Sequence, residues 1–305
     1  MASGLDSLLY RPRPSEWQLF LRQPCVYVAR LLFSWRSVSP QERTADGVSV
    51  VCISDTHNHQ PRLPDGDVLI HAGDLTQSGS FIELEETLAW LRRQTHAVKI
   101  VVAGNHDVLL DEVKRGQREE DERQHRALDW GDIVYLENDE TTVTCPNGRR
   151  LRVYGSPLSP RHGNWAFQYS RAHDVWAQQT PPISPGIDVL ITHSPPHAHL
   201  DRQLGCVHLL RTIWRVRPRL HVFGHVHDGA GTEWVQFDAL QSAYEKTVLD
   251  NGYLRNMLNL GQVFVLFVWL RIWPASETTK CLLVNAATVG GIRDDTLRQP
   301  IQVLL

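Results

Sequence analysis

Val48-Ser49-Val50-Val51-Cys52-Ile53-Ser54-Asp55-Thr56-His57-Asn58-His59 is the stretch from which the rest of the 305-residue chain is read. Its β-branched apolar run predicts a buried strand. The run stops at an aspartate and a histidine two residues apart, followed by polar loop. A buried strand holds its last side chains rigidly, and a carboxylate beside an imidazole suits a hard-to-borderline divalent cation. A single Asp-x-His at a strand end is more often a capping or turn pair. The same ending, however, recurs four more times.

The run from Asp67 to Ala72 ends in Gly73-Asp74, and Val98 to Val102 ends in Ala103-Gly104-Asn105-His106-Asp107. Ile187 to Ile191 leads into Thr192-His193-Ser194-Pro195-Pro196, and Arg219 to Phe223 leads into Gly224-His225-Val226-His227. Every ending offers oxygen or nitrogen donors and none offers sulfur. A glycine precedes three of them, which lets the backbone turn sharply and bring side chains together. Chance supplies one or two such endings. Five together point to a dinuclear metal site rather than to five satisfied structural polar groups.

Between these strands, Phe81 to Gln94 has apolar residues at helical spacing with acids near its start, as the helix dipole favours. Asp111 to Trp130 reads as a charged, solvated helical stretch. Ile133 to Leu136, Thr141 to Cys145 and Arg150 to Tyr154 read as shorter strands, the last two joined at Asn147-Gly148 by a hairpin. Strands and helices that alternate and then give way to a run of strands predict a mixed α/β fold rather than one parallel sheet. The turn-rich, aromatic segment Gly155 to Phe167 is expected to shape a pocket rim.

Apolar content of 42% and charged content of 21% are those of a globular protein. The formal net charge of −3 gives no basic field for a nucleic-acid polymer. The five cysteines are odd in number, scattered and without a Cys-x-x-Cys pair, which argues against a disulfide framework and a thiolate zinc site. An intracellular, cytoplasmic setting is expected from that usage. Arginines interrupt the apolar residues of the first 45 positions, so no secretory leader is read there.

Residues 1–45 are expected to form an N-terminal extension, with an amphipathic helix over Trp17 to Trp35 and a linker over Arg43 to Gly47. Residues 46–305 are expected to form one domain carrying an insertion at about 239–280. Within it, Met257 to Trp273 is apolar but short for a bilayer span and holds Asn, Gln and Arg. Packing against Trp17 to Trp35, or dimerisation, is the favoured expectation for 17–35 and 253–273. Peripheral membrane contact is the alternative.

Asp-x-His, Gly-Asp, Gly-Asn-His-Asp, Thr-His and Gly-His-x-His in this order resemble the signature set of the calcineurin-like metallophosphoesterases. Gly155-Ser156-Pro157, Trp165-Ala166-Phe167, Thr192-His193-Ser194-Pro195-Pro196 and Val284-Asn285-Ala286-Ala287 resemble a subgroup of them. These are the small metallophosphoesterase-domain proteins, which include class III cyclic nucleotide phosphodiesterase-like members. The resemblance covers about Val48 to Gln236 and resumes near Cys281. It implies a four-layer α/β/β/α sandwich, two mixed sheets flanked by helices, with metals at the strand C-terminal ends.

The resemblance also implies roles. Asp55, His57 and His227 would hold one divalent cation, Asn105, His193 and His225 a second, and Asp74 would bridge them. Manganese is expected first, with iron or zinc as alternatives. Such a pair, roughly 3.5–4 Å apart, acidifies a shared water for in-line attack at phosphorus. His106 would protonate the leaving group without ligating. The implied activity is hydrolysis of a small phosphodiester such as a cyclic nucleotide. Phosphomonoesters, or a scaffold that binds metal without turnover, are the alternatives.

Around this set, Asn58, His59, Asn164 and His197 are candidate substrate contacts, and His162, Trp165 and His199 candidate rim residues. Asp107 and Asp228 are candidate carboxylate partners for the imidazoles, since ligating histidines donate their other N–H. His71, inside a strand, is expected to be a satisfied core imidazole.

Overall fold

The computed structural model describes residues 15–36, 38, 47–116, 119–250, 252–273, 278–290 and 296–305. Positions 1–14 of the expected extension and 43–46 of the expected linker lie outside the described residues. The chain divides into two compact units, Gln41–Trp234 with Cys281–Leu305, and Met1–Pro40 with Val235–Lys280.

The larger unit is built on β1 (Ser49–Ile53), β2 (Val68–Ala72), β3 (Val98–Val102), β4 (Ile133–Tyr135), β5 (Asp139–Thr144) and β6 (Arg150–Ser156). There follow β7 (Ser159–Pro160), β8 (Gln168–Tyr169), β9 (Val189–Thr192), β10 (Leu220–Phe223) and β11 (Gly231–Gln236). The last are β12 (Lys280–Asn285), β13 (Val289–Gly290), β14 (Thr296–Leu297) and β15 (Ile301–Leu304). One sheet has the order β15-β1-β2-β3-β4, with β1 to β4 parallel and β15 antiparallel to β1. The other has the order β11-β12-β10-β9-β6-β5, with β12, β10, β9 and β6 parallel and β5 antiparallel to β6.

The unbroken apolar run of β1 follows from burial on both faces. Val50 and Cys52 enter the core between the sheets with Ile70, Ile100, Val153, Ile191, Val222 and Val284. Val51 and Ile53 point the other way, into a second core with Leu84, Leu88 and Leu91 of the helix Phe81–Arg92. That helix begins at a capping box in which Ser80 and Glu83 satisfy each other's backbone N–H. Later in the chain, the helix Val207–Val216 buries Leu209, Leu210, Ile213 and Val216. Two mixed sheets between helices is the α/β/β/α architecture expected from the sequence.

Two expectations about elements change. The 111–130 stretch is not one helix but Glu112–Arg115, closed by Gly116, and Glu119–Ala127, with 117 and 118 outside the described residues. β12 ends at Asn285, with Leu282–Val284 in parallel register with Leu220–Val222, and β15 then crosses to the first sheet. The helix expected over Trp17 to Trp35 is two helices, Glu16–Arg22 and Pro24–Ser34. Pro24 has no N–H to continue the first and is pre-set for the first turn of the second.

The smaller unit contains those two helices with Ala239–Leu249 and Tyr253–Ile272. Ala29, Leu240, Ala243, Tyr244 and Val263 form its core, with Leu32, Phe33, Leu260, Phe267 and Leu270 packed against it. The Phe33 and Tyr244 rings stack 4.1 Å apart. Asp238 caps the helix Ala239–Leu249 through Gln241 N–H and pairs with Arg36. No helix among the described residues is long and apolar enough to cross a membrane.

Candidate metal centre

All the candidate ligands lie just past the C-terminal ends of β1, β2, β3, β9 and β10. Asp55, His57, Asp74 and His225 have φ of 49°, 44°, 52° and 67°, left-handed values that non-glycine residues rarely adopt. Such strain persists only where surrounding bonds fix it. Asp55 N–H donates to Gly73 O at 2.8 Å and His57 N–H to Asp74 O at 3.2 Å. His225 N–H donates to both oxygens of Asp55, at 3.0 and 2.9 Å, and so ties the second sheet to the first. The approach is close enough that a Cβ on Gly224 would lie 2.0 Å from Asp55 Oδ2, and one on Gly104 2.2 Å from Asp74 Oδ1.

Three overlapping groups of donors result: Asp55, His57 and His227; His57, Asp74 and His106; and Asp74, His193 and His225. Within each group the ligand atoms lie within 4.8 Å of one another. Asp74 Oδ2 is 3.8 Å from His57 Nε2 and 3.4 Å from His193 Nε2, and His227 Nε2 is 3.3 Å from Asp55 Oδ1.

The donor chemistry fits cations. His193 Nδ1 donates to Ala72 O at 3.0 Å, which leaves Nε2 facing Asp74 Oδ2 and, at 3.0 Å, Asn105 Oδ1. A lone-pair nitrogen meeting two acceptor oxygens needs a positive charge among them. Both ring nitrogens of His57 are buried and have no hydrogen-bond partner among the described residues. Orphaned buried imidazole nitrogens carry a desolvation cost that a ligated cation removes.

Electrostatics without cations shows the same demand. Burial opposes the Asp74 carboxylate, yet His193, His57 and His106 together hold its pKa well below the usual range. Burial likewise opposes Asp55, but the hydrogen bond and charge of His227, with His193, bring it down to about 2. His193 is driven the other way: burial disfavours its charge, but Asp74 and Asp55 raise it to about 9. Burial and the His193 charge lower His225 to about 3. Two fixed carboxylates thus favour positive charge beside His193, the demand that divalent cations would meet.

A sequence model of the calcineurin-like phosphoesterases matches residues 48–229. The chain belongs to that family. An Emericella nidulans protein named "Probable rhamnogalacturonate lyase C" is 43% identical over 304 residues, 98% of this chain and 28% of that protein. Human metallophosphoesterase domain-containing protein 1 is 38% identical over 206 residues, 59% of this chain and 61% of its own length. The chain therefore spans less than two thirds of either relative. UPF0046 protein C25E10.12 of Caenorhabditis elegans is 36% identical over 235 residues, 67% of this chain and 80% of that protein. Among solved structures, TT1561 of Thermus thermophilus superposes with a TM-score of 0.41 at 15% identity over 63% of this chain and 86% of that one, too slight a likeness to argue from.

Around the donors of this calcineurin-like phosphoesterase, aromatic side chains press on one another. His106 Nδ1 donates to Gln77 O at 2.7 Å, so its Nε2 faces the donors. One face of His106 stacks on Trp165, ring centroids 4.3 Å apart, and its edge meets His57 at 4.7 Å. His162 sits on His225 at 4.7 Å.

Asp107 does not touch the His106 ring. Its oxygens accept from Gly104 N–H, Leu75 N–H, Thr76 N–H and the Thr76 hydroxyl at 2.7–3.2 Å, clamping the loop after β2 to the loop after β3. Burial and the neighbouring Asp74 charge push its pKa up to about 6 against those bonds.

The remaining candidates are placed as follows. Asn58 bonds Glu83 and Gln77, and Asn164 accepts from Lys114 Nζ at 2.6 Å. His197 lies 3.1 Å from Asp201. His199 is buried against Glu233 at 2.9 Å and is not a rim residue. His59 and Asp228 are exposed, and the Asp228 carbonyl accepts from Arg202.

His71 is fully buried with Nε2 2.9 Å from Thr56 Oγ1, as a core imidazole should be. Its counterpart in the second sheet, His221 with Nε2 2.8 Å from Thr192 Oγ1, is not apparent from sequence alone. The available signal is a histidine shortly before each terminal glycine-containing turn, Gly73 and Gly224. Each pair steadies the residue preceding a ligand, His57 or His193.

Proposed function

We propose that the chain is a phosphoester hydrolase that uses two divalent cations, manganese first among them, and cleaves small phosphodiesters of the cyclic nucleotide kind. The observation that carries this reading is Asp74, whose Oδ2 stands between His57 Nε2 at 3.8 Å and His193 Nε2 at 3.4 Å. Asp55, His57 and His227 would hold one cation and Asn105, His193 and His225 the other, supplying an acidified water and neutralising the phosphoryl oxygens.

The chain's own residues do the rest. His106 N–H donates to Asp74 Oδ1 at 2.8 Å and so aims Oδ2 at the imidazoles. With Nδ1 committed to Gln77 O, the His106 ring can carry its second proton only on Nε2, the atom that faces the site. That proton passes to the departing oxygen as the ester bond breaks, so that diester and water give a monoester and a freed hydroxyl, which stays on the same molecule when the diester is cyclic. Asp107 fixes Gly104 and Thr76, and with them the loops that carry the acid and the shared carboxylate. Imidazole and indole rings at the rim suit a singly charged diester with an aromatic or heterocyclic group. Free thiols at all five cysteines, four of them buried, support an intracellular setting.

The test is a panel of aryl diester, aryl monoester and cyclic nucleotides, run with added manganese on protein of measured metal content. Diester turnover above monoester turnover is expected. Faster monoester turnover would overturn the diester reading, and silence with every metal would leave a metal-binding scaffold.

A further inference from the structure

The helix Tyr253–Ile272 is apolar on two sides. One side, Leu260, Val263, Leu266, Phe267 and Leu270, packs on the core of its own helical unit. The other leaves Leu254, Leu258, Val265, Val268 and Ile272 exposed at spacings of four, seven, three and four residues, a continuous stripe along the helix. Met257 and Phe264 widen the stripe on one flank and Trp269 on the other. A two-stranded helical seam needs only two positions in seven. This face is broader, and its edges are aromatic.

Three exposed tryptophans gather at one end. The Trp269 and Trp273 rings lie 4.3 Å apart, and Arg271 reaches the Trp35 carbonyl at 3.2 Å with its guanidinium 4.9 Å from the Phe267 ring. Exposed tryptophan beside arginine is the composition of a membrane–water interface. Charge agrees. Residues 1–40 and 235–280 hold nine Lys and Arg against six Asp and Glu, a formal +3 within a chain of net −3. A helix of this kind cannot span, given Arg255, Asn256, Asn259, Gln262 and Arg271 along it. It can lie in the interface plane.

We propose that the helical unit docks on the surface of an anionic phospholipid bilayer through the outer face of Tyr253–Ile272, with Trp35, Trp269 and Trp273 at headgroup level. The test is flotation of the full chain with phosphatidylcholine vesicles, with and without phosphatidylserine. The intact chain floats with the anionic vesicles, less with neutral ones and less in high salt, and its tryptophan emission shifts blue. Val265→Asp, and separately Trp269→Ala with Trp273→Ala, lower the floated fraction about tenfold while the far-UV circular dichroism and melting temperature stay at wild type. If Val265→Asp misfolds, the tryptophan pair carries the test. An intact chain that stays at the bottom of the gradient overturns the proposal, as do variants that float like wild type. A dimer in solution that Val265→Asp dissociates, without flotation, assigns the stripe to a second copy instead.

Discussion

Replacing Asp107 by alanine should loosen the site without touching a ligand. The carboxylate is fully buried and accepts from Gly104 N–H at 2.8 Å, Leu75 N–H at 3.2 Å, Thr76 N–H at 3.0 Å and the Thr76 hydroxyl at 2.7 Å. The hydroxyl can turn to another acceptor, but three backbone donors cannot. Each stranded buried donor costs about 1–3 kcal/mol, so Asp107→Ala should cost about 3–6 kcal/mol after partial relaxation. Asp107→Asn keeps one acceptor but turns an NH₂ towards backbone N–H groups, and should cost less than alanine and more than nothing. The assay is urea unfolding of metal-free protein followed by far-UV circular dichroism, with metal content measured after reloading. The alanine variant should also bind the second equivalent of metal more weakly, because the loops carrying Asp74 and Asn105 are no longer tied. A loss below about 1 kcal/mol with two equivalents still tightly held would refute the clamp.

His106→Ala should lower turnover of an aryl diester by about 10²–10⁴ while the metal content stays at two, and a parallel loss of metal would make it a ligand instead. Gly224→Ala places a Cβ 2.0 Å from Asp55 Oδ2, so competition with a fluorescent chelator should show at least about tenfold weaker metal binding; unchanged affinity would mean the loop yields easily. Stability should fall as pH drops through the histidine range. Burial lowers His71 and His221 to about 3, so between their unfolded value near 6.5 and that point the unfolded chain takes up protons the folded chain refuses. His221→Gln should flatten the urea-derived stability slope there by about 1.4 kcal/mol per pH unit, and an unchanged slope would show that His221 is not held neutral.

The five strand endings were legible because each pairs an apolar, two-face-buried run with a donor at its end, a pattern that β1 shows in Val50 and Val51 packing into different cores. The hairpin at Asn147-Gly148 was legible for a similar reason, since Gly148 takes φ of 83°. Long-range partnerships were not. Nothing local to Asp107 shows that its oxygens will be taken by backbone on another loop, and nothing local to His221 shows that Thr192 will face it. Left-handed backbone at Asp55, His57, Asp74 and His225 was equally hidden, because these residue types adopt it only when neighbours hold them there. The break at Pro24 follows from its missing N–H, although the apolar residues on either side continue a helical period across it.

Anomalous scattering from crystals grown with manganese tests the account most directly. It should show two peaks on either side of Asp74 Oδ2, one contacted by Asp55, His57 and His227 and one by Asn105, His193 and His225. A single peak, or peaks that Asp74 does not touch, would contradict it.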